Sequence, residues 1–178
     1  IDAVAAEFGR EVLWRPYLLG VVFPSRGQSP LVSQPMRGPY HVKDMQRTAR
    51  KMKVPVMLPE GFPMTTIAAG RAFYWQDATD PRRAKDLAKA LYRAAFAQGR
   101  NITTTEVVAE VGKEIGIDPA ALTAGIGTPA VKERLKTETY NAITRGIFGS
   151  PFILVDDEPF WGNDRLDDVR EWLKTVGW

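Results

Sequence analysis

Two short segments of the sequence combine residue types that suit the binding of a small zwitterion. Ser150-Pro151 precedes a compact apolar run, and a backbone corner at proline can offer main-chain groups to a peptide. Trp161-Gly162-Asn163-Asp164 stands where a strand is expected to give way to a helix, so backbone N–H groups there can receive a carboxylate. Asp164 adds an anion that can meet an ammonium group. Helix capping by Asn163 or Asp164 is the competing explanation, and both roles can hold together.

The composition argues against several other kinds of chemistry. The 178 residues include no cysteine and one histidine, so we expect no metal site of the usual nitrogen and sulfur type. A serine-histidine couple would need His41, which we expect to face solvent or to cap a helix. The formal charge is +3 with acidic and basic residues interspersed, which argues against a nucleic-acid partner. No uninterrupted apolar run reaches the roughly 18 residues of a membrane span, so we expect no membrane partner.

The first third of the chain is expected to contain a helix, a strand, a loop and a second helix. Ile1 to Phe8 places apolar residues on one helical face, and Glu11 to Leu19 clusters the aromatic and branched residues typical of a strand. Gly20 to Pro35 is rich in Gly, Pro and Ser, which predicts a long functional loop. Helical spacing returns between Gly38 and Lys53.

A block of helices is predicted next, and most of its members carry a start signal. Asp80, Asp118 and Thr128 each precede a proline, and Thr103 with Glu106 forms a capping box. The predicted helices are Met64 to Gln76, Pro81 to Gln98, Thr103 to Ile115, and two that begin at Pro119 and Pro129, the last ending near Arg145. Phe73, Tyr74 and Trp75 favour core packing, with a border to an aromatic substrate as the alternative.

The C-terminal part predicts a β-hairpin and a final helix. Phe152 to Val155 forms an apolar strand, an acidic turn follows, and Phe160-Trp161 begins the return strand. A strand near the start, an inserted helical block and this hairpin with its helix are the layout of an α/β thioredoxin-like domain. We predict three segments: 1–58 and 146–178 form the thioredoxin-like domain, and 59–145 form the helical insertion.

Two joined motifs identify a family that the sequence resembles. Gly146-Ile147-Phe148-Gly149-Ser150-Pro151-Phe152 and Phe160-Trp161-Gly162-Asn163-Asp164-Arg165-Leu166 closely resemble the 2-hydroxychromene-2-carboxylate isomerases. These are glutathione-dependent enzymes related to kappa-class glutathione transferases and, more distantly, to DsbA-like oxidoreductases. The resemblance extends more weakly over the rest of the chain, including Trp14-Arg15-Pro16. It implies a thioredoxin-like fold of the DsbA and kappa type with an inserted all-helical domain.

The resemblance implies a glutathione site at the two motifs. Ser150-Pro151 would be a cis-proline corner whose residue 150 turns its N–H and C=O toward the cysteinyl part of glutathione. The segment from Trp161 to Asp164 would hold the γ-glutamyl group, which carries one carboxylate and one ammonium. A trans proline at the start of an edge strand is the alternative for the first motif.

The resemblance also implies roles for three residues of the first half. Arg37 aligns with a lysine that kappa-class relatives direct at glutathione, and a guanidinium suits a carboxylate. Gln28 stands where those relatives carry asparagine. The side-chain amide is therefore retained, on a side chain that is one methylene longer. Thr65 stands near an asparagine that contacts the substrate in relatives. A solvated loop side chain is the alternative for Arg37 and Gln28.

The activity implied by the resemblance is a glutathione-dependent cis-trans isomerisation in aromatic-hydrocarbon breakdown such as naphthalene degradation. The substrate would be 2-hydroxychromene-2-carboxylate or a similar aromatic 2-oxo acid, and the enzyme a cytoplasmic homodimer. The family's catalytic serine lies at the end of the first strand, which the resemblance places upstream of Ile1. Three alternatives stay open: a kappa-like glutathione transferase or peroxidase, a thiol-disulfide oxidoreductase if that upstream position is cysteine, and a binding or chaperone module without thiol chemistry.

Overall fold

The structure is a computed structural model that describes residues 1–25 and 27–178, most of them helical. The helices of this part are α1 (Asp2–Ala6), α2 (Leu19–Ser25), α3 (Arg37–Met52), α4 (Ile67–Asp77), α5 (Pro81–Phe96), α6 (Thr105–Glu114), α7 (Pro119–Ile126), α8 (Pro129–Thr144) and α9 (Leu166–Thr175). Short 3-10 helices span Leu31–Ser33 and Asn163–Arg165. Strands β1 (Phe152–Val155) and β2 (Glu158–Trp161) form an antiparallel hairpin. No helix in the described part has the length and apolar content needed to cross a bilayer.

The helices α4 to α7 enclose the larger core of the molecule. Leu87, Val108 and Leu122 are completely buried there among alanine and isoleucine side chains. Glycines allow the helices to approach closely: a Cβ added to Gly112 would lie 2.6 Å from a methyl group of Leu122. Burial of such leucines is worth about 2 to 5 kcal/mol each by comparison with alanine, so this block can hold a neighbouring cleft in a fixed shape.

The hairpin packs between the first and the last helix. Its turn is Asp156-Asp157, and both residues have positive φ angles, 49° and 77°, as a two-residue turn of type I′ requires. Val155 and Phe160 of the hairpin form a second core with Val4 of α1 and Val169 of α9. The predicted hairpin and final helix are therefore confirmed, and this core fixes the position of the Ser150-Pro151 corner at the start of β1.

The predicted strand between Glu11 and Leu19 is wrong, because this segment is irregular up to Leu18 and α2 then begins. A strand needs a partner for its backbone hydrogen bonds. Within the described residues, no neighbouring strand forms backbone hydrogen bonds with this segment. Pro16 also lacks an N–H, and its carbonyl instead accepts from the Tyr74 hydroxyl at 2.7 Å. Side-chain contacts hold the segment, among them the ion pair between Arg15 and Glu138.

The predicted loop from Gly20 to Pro35 is also wrong in part. It contains most of α2 and the 3-10 helix Leu31–Ser33. Val22 is completely buried and α2 packs on α8, so tertiary packing outweighs the helix-breaking tendency of Gly20 and Pro24.

The helix start signals are confirmed at some positions and wrong at others. Asp80 and Asp118 cap α5 and α7 by accepting hydrogen bonds from backbone N–H groups at 3.0 to 3.2 Å. The α6 helix is capped by Thr104, one residue after the predicted Thr103. Thr128 occupies the N-cap position of α8 without capping it, because its hydroxyl donates to the carbonyl of Gly125 at 2.9 Å.

Candidate functional site

The fold brings the two C-terminal motifs into direct contact. The N–H of Gly162 donates to the carbonyl of Pro151 at 3.0 Å, which extends the hairpin ladder beyond β1 and β2. The rings of Phe148 and Trp161 pack edge to face with centroids 4.9 Å apart. Gly149 is buried against the Trp161 indole, where any Cβ would collide with the ring. A glycine at position 149 is therefore required for the two motifs to pack against each other.

The Ser150-Pro151 corner presents free main-chain groups at the protein surface. The peptide bond is cis, as the family resemblance implied, and Ser150 is exposed. Neither the N–H nor the C=O of Ser150 has a hydrogen-bond partner in the part of the chain that the structure describes. Hydrogen bonds fix the backbone on either side of Ser150. The Gly149 carbonyl accepts from the Tyr17 hydroxyl, and the Pro151 carbonyl accepts from the N–H of Gly162.

Tyr17 is a neutral donor at this corner. Burial and, to a smaller extent, the phenol of Tyr92 together raise the pKa of Tyr17 to about 12. The Tyr17 hydroxyl therefore keeps its proton at neutral pH and stays bonded to the Gly149 carbonyl. This bond fixes the backbone immediately before Ser150.

Asp164 lies at the surface beside Gly162. Gly162 has φ +112°, and a Cβ there would collide with the Asp164 carboxylate, so a glycine is required for this arrangement. The Asp164 carboxylate pairs with Arg165 at 3.1 Å, and Arg165 also binds Asp168 at 3.0 Å. Hydrogen bonds to Asp168 and the charge of Asp164 raise the pKa of Arg165. Neither Asn163 nor Asp164 caps α9, so the capping role is wrong for both residues.

A cleft of about 2120 Å³ runs from the corner to the start of α4. Typical single-ligand pockets have volumes of about 300 to 1,000 Å³, so this cleft is larger than one small ligand needs. Six of the predicted site residues line it: Gln28, Arg37, Thr65, Ser150, Pro151 and Trp161. Gly162, Asn163 and Asp164 adjoin the corner without lining the cleft.

Among the described arginines that line the cleft, Arg37 is the one without an ion-pair partner. It opens α3, and the close approach of Gly38 to the Val32 carbonyl presses this first turn against the 3-10 helix Leu31–Ser33. Among the residues that the structure describes, no carboxylate lies within salt-bridge distance of Arg37. The other cleft arginines are engaged in the pairs Arg10–Asp156, Arg15–Glu138 and Arg145–Asp157.

Gln28 and Thr65 also line the cleft, and neither side chain has a hydrogen-bond partner among the described residues. Gln28 is exposed, and its backbone N–H donates to the Phe23 carbonyl at 2.9 Å. Thr65 is exposed two residues before α4 begins. The structure therefore gathers residues from the first half of the chain around the same cleft as the C-terminal corner.

A second aromatic group in the cleft was not predicted. Phe73 and Tyr74 are buried in the core, in agreement with the packing interpretation. Phe62, Tyr92 and Phe96 also line the cleft, and Tyr92 is 58% exposed. Tyr92 and Phe96 lie four residues apart on α5, a spacing that places both on one helical side and that could have indicated them.

A family model described as a DSBA-like thioredoxin domain matches residues 1–174. The chain belongs to this family. Among solved structures, a 2-hydroxychromene-2-carboxylate isomerase superposes on the chain with a TM-score of 0.82 and 23% sequence identity. That match covers 97% of this chain and 84% of the isomerase. The predicted fold class, a thioredoxin-like fold of the DsbA type, is confirmed.

Relatives of this DsbA-like chain include named enzymes. It is 31% identical over 134 residues to a 2-hydroxychromene-2-carboxylate isomerase of Sphingobium xenophagum, which covers 73% of this chain and 65% of the relative. It is 26% identical over 169 residues to glutathione S-transferase kappa 2 of Caenorhabditis elegans, covering 88% of this chain and 75% of the relative. The chain spans 56 to 65% of the length of the three curated isomerases it matches.

Proposed function

We propose that this protein is a glutathione-dependent isomerase of an unsaturated aromatic 2-oxo acid such as 2-hydroxychromene-2-carboxylate. The observation that carries the proposal is the corner at Ser150, whose backbone N–H and C=O have no hydrogen-bond partner among the described residues and which lines the cleft. Similarity to a named isomerase and to a named glutathione transferase supports the same reading.

The residues around the corner fit the parts of glutathione. The free N–H and C=O of Ser150 suit the main chain of a cysteinyl residue, which would pair there as a short added strand. Arg37 offers an unpaired guanidinium to a carboxylate, and guanidinium binds carboxylate through two parallel hydrogen bonds. Asp164 offers an exposed carboxylate to the γ-glutamyl ammonium, since its present partner Arg165 also has Asp168.

The protein supplies position and electrostatics, and bound glutathione supplies a nucleophilic sulfur for reversible addition that makes a double bond rotatable. Tyr17 and Gly162 hold the Ser150 corner so that the bound peptide keeps one orientation. The rest of the cleft receives the second substrate beside glutathione. The two reactants are then held in a fixed relative orientation and do not have to meet by diffusion.

A kappa-like transferase is the second candidate, because the similarity to glutathione S-transferase kappa 2 extends over 88% of this chain. A transferase would use the same corner and the same Arg37. It would differ in consuming glutathione, so the products distinguish the two activities.

Isothermal titration of the purified protein with glutathione tests the proposed binding. We expect saturable heat at millimolar ligand or below, and a binding at least about fivefold weaker after Arg37→Ala, in which a charge-assisted contact is lost. Lys43→Ala removes an exposed charge from the same helix outside the cleft and should leave binding unchanged. Absence of heat at millimolar glutathione would contradict the proposal.

A further inference from the structure

Two adjacent buried polar residues of α8 hold the irregular segment that precedes α2. Glu138 is 6% exposed and Thr139 is 4% exposed. The Glu138 carboxylate binds the guanidinium of Arg15 at 3.0 Å, and the Thr139 hydroxyl accepts from the N–H of Leu18 at 3.1 Å. The carbonyl of Pro16 between them accepts from a tyrosine hydroxyl of α4 at 2.7 Å. A buried carboxylate is costly to the fold unless it is paired, so Glu138 needs the arginines that reach it.

These contacts lie on both sides of Tyr17 in the chain. Arg15 and Leu18 bind α8, whereas the hydroxyl of Tyr17 donates to the Gly149 carbonyl. Tyr17 is thus the residue of this segment that reaches the C-terminal motif. A chain of contacts therefore runs from the buried carboxylate of α8 through the segment to the backbone directly before Ser150.

We propose that Arg15 and Glu138 are positioning residues for the Ser150 corner. Their ion pair holds Tyr17 where its hydroxyl restrains the Gly149 carbonyl, so the main-chain groups of Ser150 keep one orientation toward a bound peptide. A group that is already ordered binds more tightly, because binding does not have to order it. The inference rests on the proposed function only for the identity of the peptide, glutathione.

Arg134 provides a matched comparison, because it binds the same carboxylate from within α8. Both arginines lie 3.0 Å from Glu138, and their side chains are similarly exposed, 49% for Arg15 and 51% for Arg134. Arg15→Met and Arg134→Met each remove one charge, keep an apolar stem and leave the buried carboxylate one arginine. Only Arg15 belongs to the segment of Tyr17, so only its substitution should release that tyrosine.

Amide hydrogen exchange, followed residue by residue by NMR, reports the corner without any ligand. The N–H of Gly162 donates to the Pro151 carbonyl at 3.0 Å, so loosening of the corner should speed its exchange. We expect exchange at least about fivefold faster in Arg15→Met and in Tyr17→Phe, and a change of less than about twofold in Arg134→Met.

The N–H of Ile117 is the internal control for overall stability. It donates to the Gly112 carbonyl at 2.9 Å in the helical block, away from the corner. Its exchange should stay the same in all three variants, because the proposed effect is local.

Titration with glutathione relates the position of the corner to binding. We expect Arg15→Met and Tyr17→Phe each to weaken binding at least about threefold, and Arg134→Met to leave it within about twofold. The double variant Arg15→Met/Tyr17→Phe should bind no more weakly than Tyr17→Phe, because residues that act through one another are not additive.

Normal Gly162 exchange in Arg15→Met, or equal effects of Arg15→Met and Arg134→Met, would overturn the inference. Equally faster exchange of Ile117 would also overturn it, since the loss would then be one of overall stability. Additive losses of glutathione affinity in the double variant would overturn it as well, because Arg15 would then act independently of the tyrosine. If the unsubstituted protein binds no glutathione, the proposed function fails, and Gly162 exchange still decides the positioning role.

Discussion

At the scale of single residues, substitution of Asp164 distinguishes a role in ligand binding from a role in stabilising the fold. Its carboxylate is exposed and caps no helix, so Asp164→Ala should change the free energy of unfolding by less than about 0.5 kcal/mol. Loss of the partner of a ligand ammonium should weaken glutathione binding about tenfold or more. Titration calorimetry and urea unfolding of the variant measure the two effects.

Asp167→Ala is the control for that pair of measurements, since Asp167 is also exposed and pairs with Arg170 at 2.7 Å nearby on α9. Normal glutathione binding by Asp164→Ala would remove Asp164 from the site. Equal weakening in both variants would mean that general negative charge, and not the position of Asp164, matters.

Gly162 offers a second prediction at this scale. In Gly162→Ala, the new Cβ would displace the Asp164 carboxylate, and the positive φ would strain the backbone by about 1 to 3 kcal/mol. We expect a lower free energy of unfolding together with weaker glutathione binding. Gly61→Ala carries a comparable strain, since Gly61 has φ +77° with nothing within 4 Å of a new Cβ. Equal loss of glutathione binding in Gly61→Ala would contradict the local explanation.

The sequence predicts local backbone geometry well where a motif is continuous and predicts contacts poorly where distant elements meet. Ser150-Pro151 and Trp161 lie in short motifs whose local geometry depends on a few neighbours, so pattern and resemblance suffice. Phe62 and Tyr92 belong to different segments, and only tertiary packing places Phe62 against Phe96 near the end of α5. The binding roles of all the predicted site residues, Gln28 and Thr65 included, stay predictions.

At the scale of the elements, Asp2 ties α1 to α5 and to the irregular segment. It accepts from Lys85 at 3.0 Å and from the Trp14 indole at 3.2 Å. Burial raises the pKa of Asp2, but these hydrogen bonds and the charges of Lys85 and Lys89 outweigh burial, and the pKa falls below its ordinary 3.8. The ionised form of Asp2 is therefore favoured in the folded protein.

A pH dependence of stability follows from that shift. A carboxyl whose folded pKa is lowered contributes stability above its unfolded pKa and loses it as pH falls through the folded pKa. Because Asp2 is about one-third exposed, we expect Asp2→Asn to cost about 0.5 to 1 kcal/mol of unfolding free energy at pH 7. Urea unfolding at pH 7 and pH 3 should show the difference shrinking at the lower pH. A difference that is equal at both values would contradict the ionic contribution.

The segment from Glu11 to Leu18 shows why one element could not be predicted. Its composition is that of a strand, but strand formation depends on a partner elsewhere in the chain, and composition does not report that partner. Residues Arg15 and Arg134 instead bind the buried carboxylate of Glu138 on α8 at 3.0 Å each. Helices such as α5 were predicted more accurately because their hydrogen bonds and their caps are local.

At the scale of the whole molecule, the thioredoxin-like fold could be predicted because its hairpin, final helix and helical block carry independent signals. The cleft between these parts could not, since its volume depends on the relative placement of elements far apart in sequence. The boundaries at residues 58 and 145, the cytoplasmic location and the homodimeric state stay predictions.

Product analysis with limiting glutathione tests the central claim most directly. The protein is incubated with 2-hydroxychromene-2-carboxylate and a small amount of glutathione, and mass spectrometry follows substrate, product and glutathione. We predict many turnovers per glutathione, a product with the mass of the substrate, undiminished glutathione, and no catalysed reaction without it. A stable adduct that consumes glutathione one for one, or catalysis that needs no glutathione, would contradict the account.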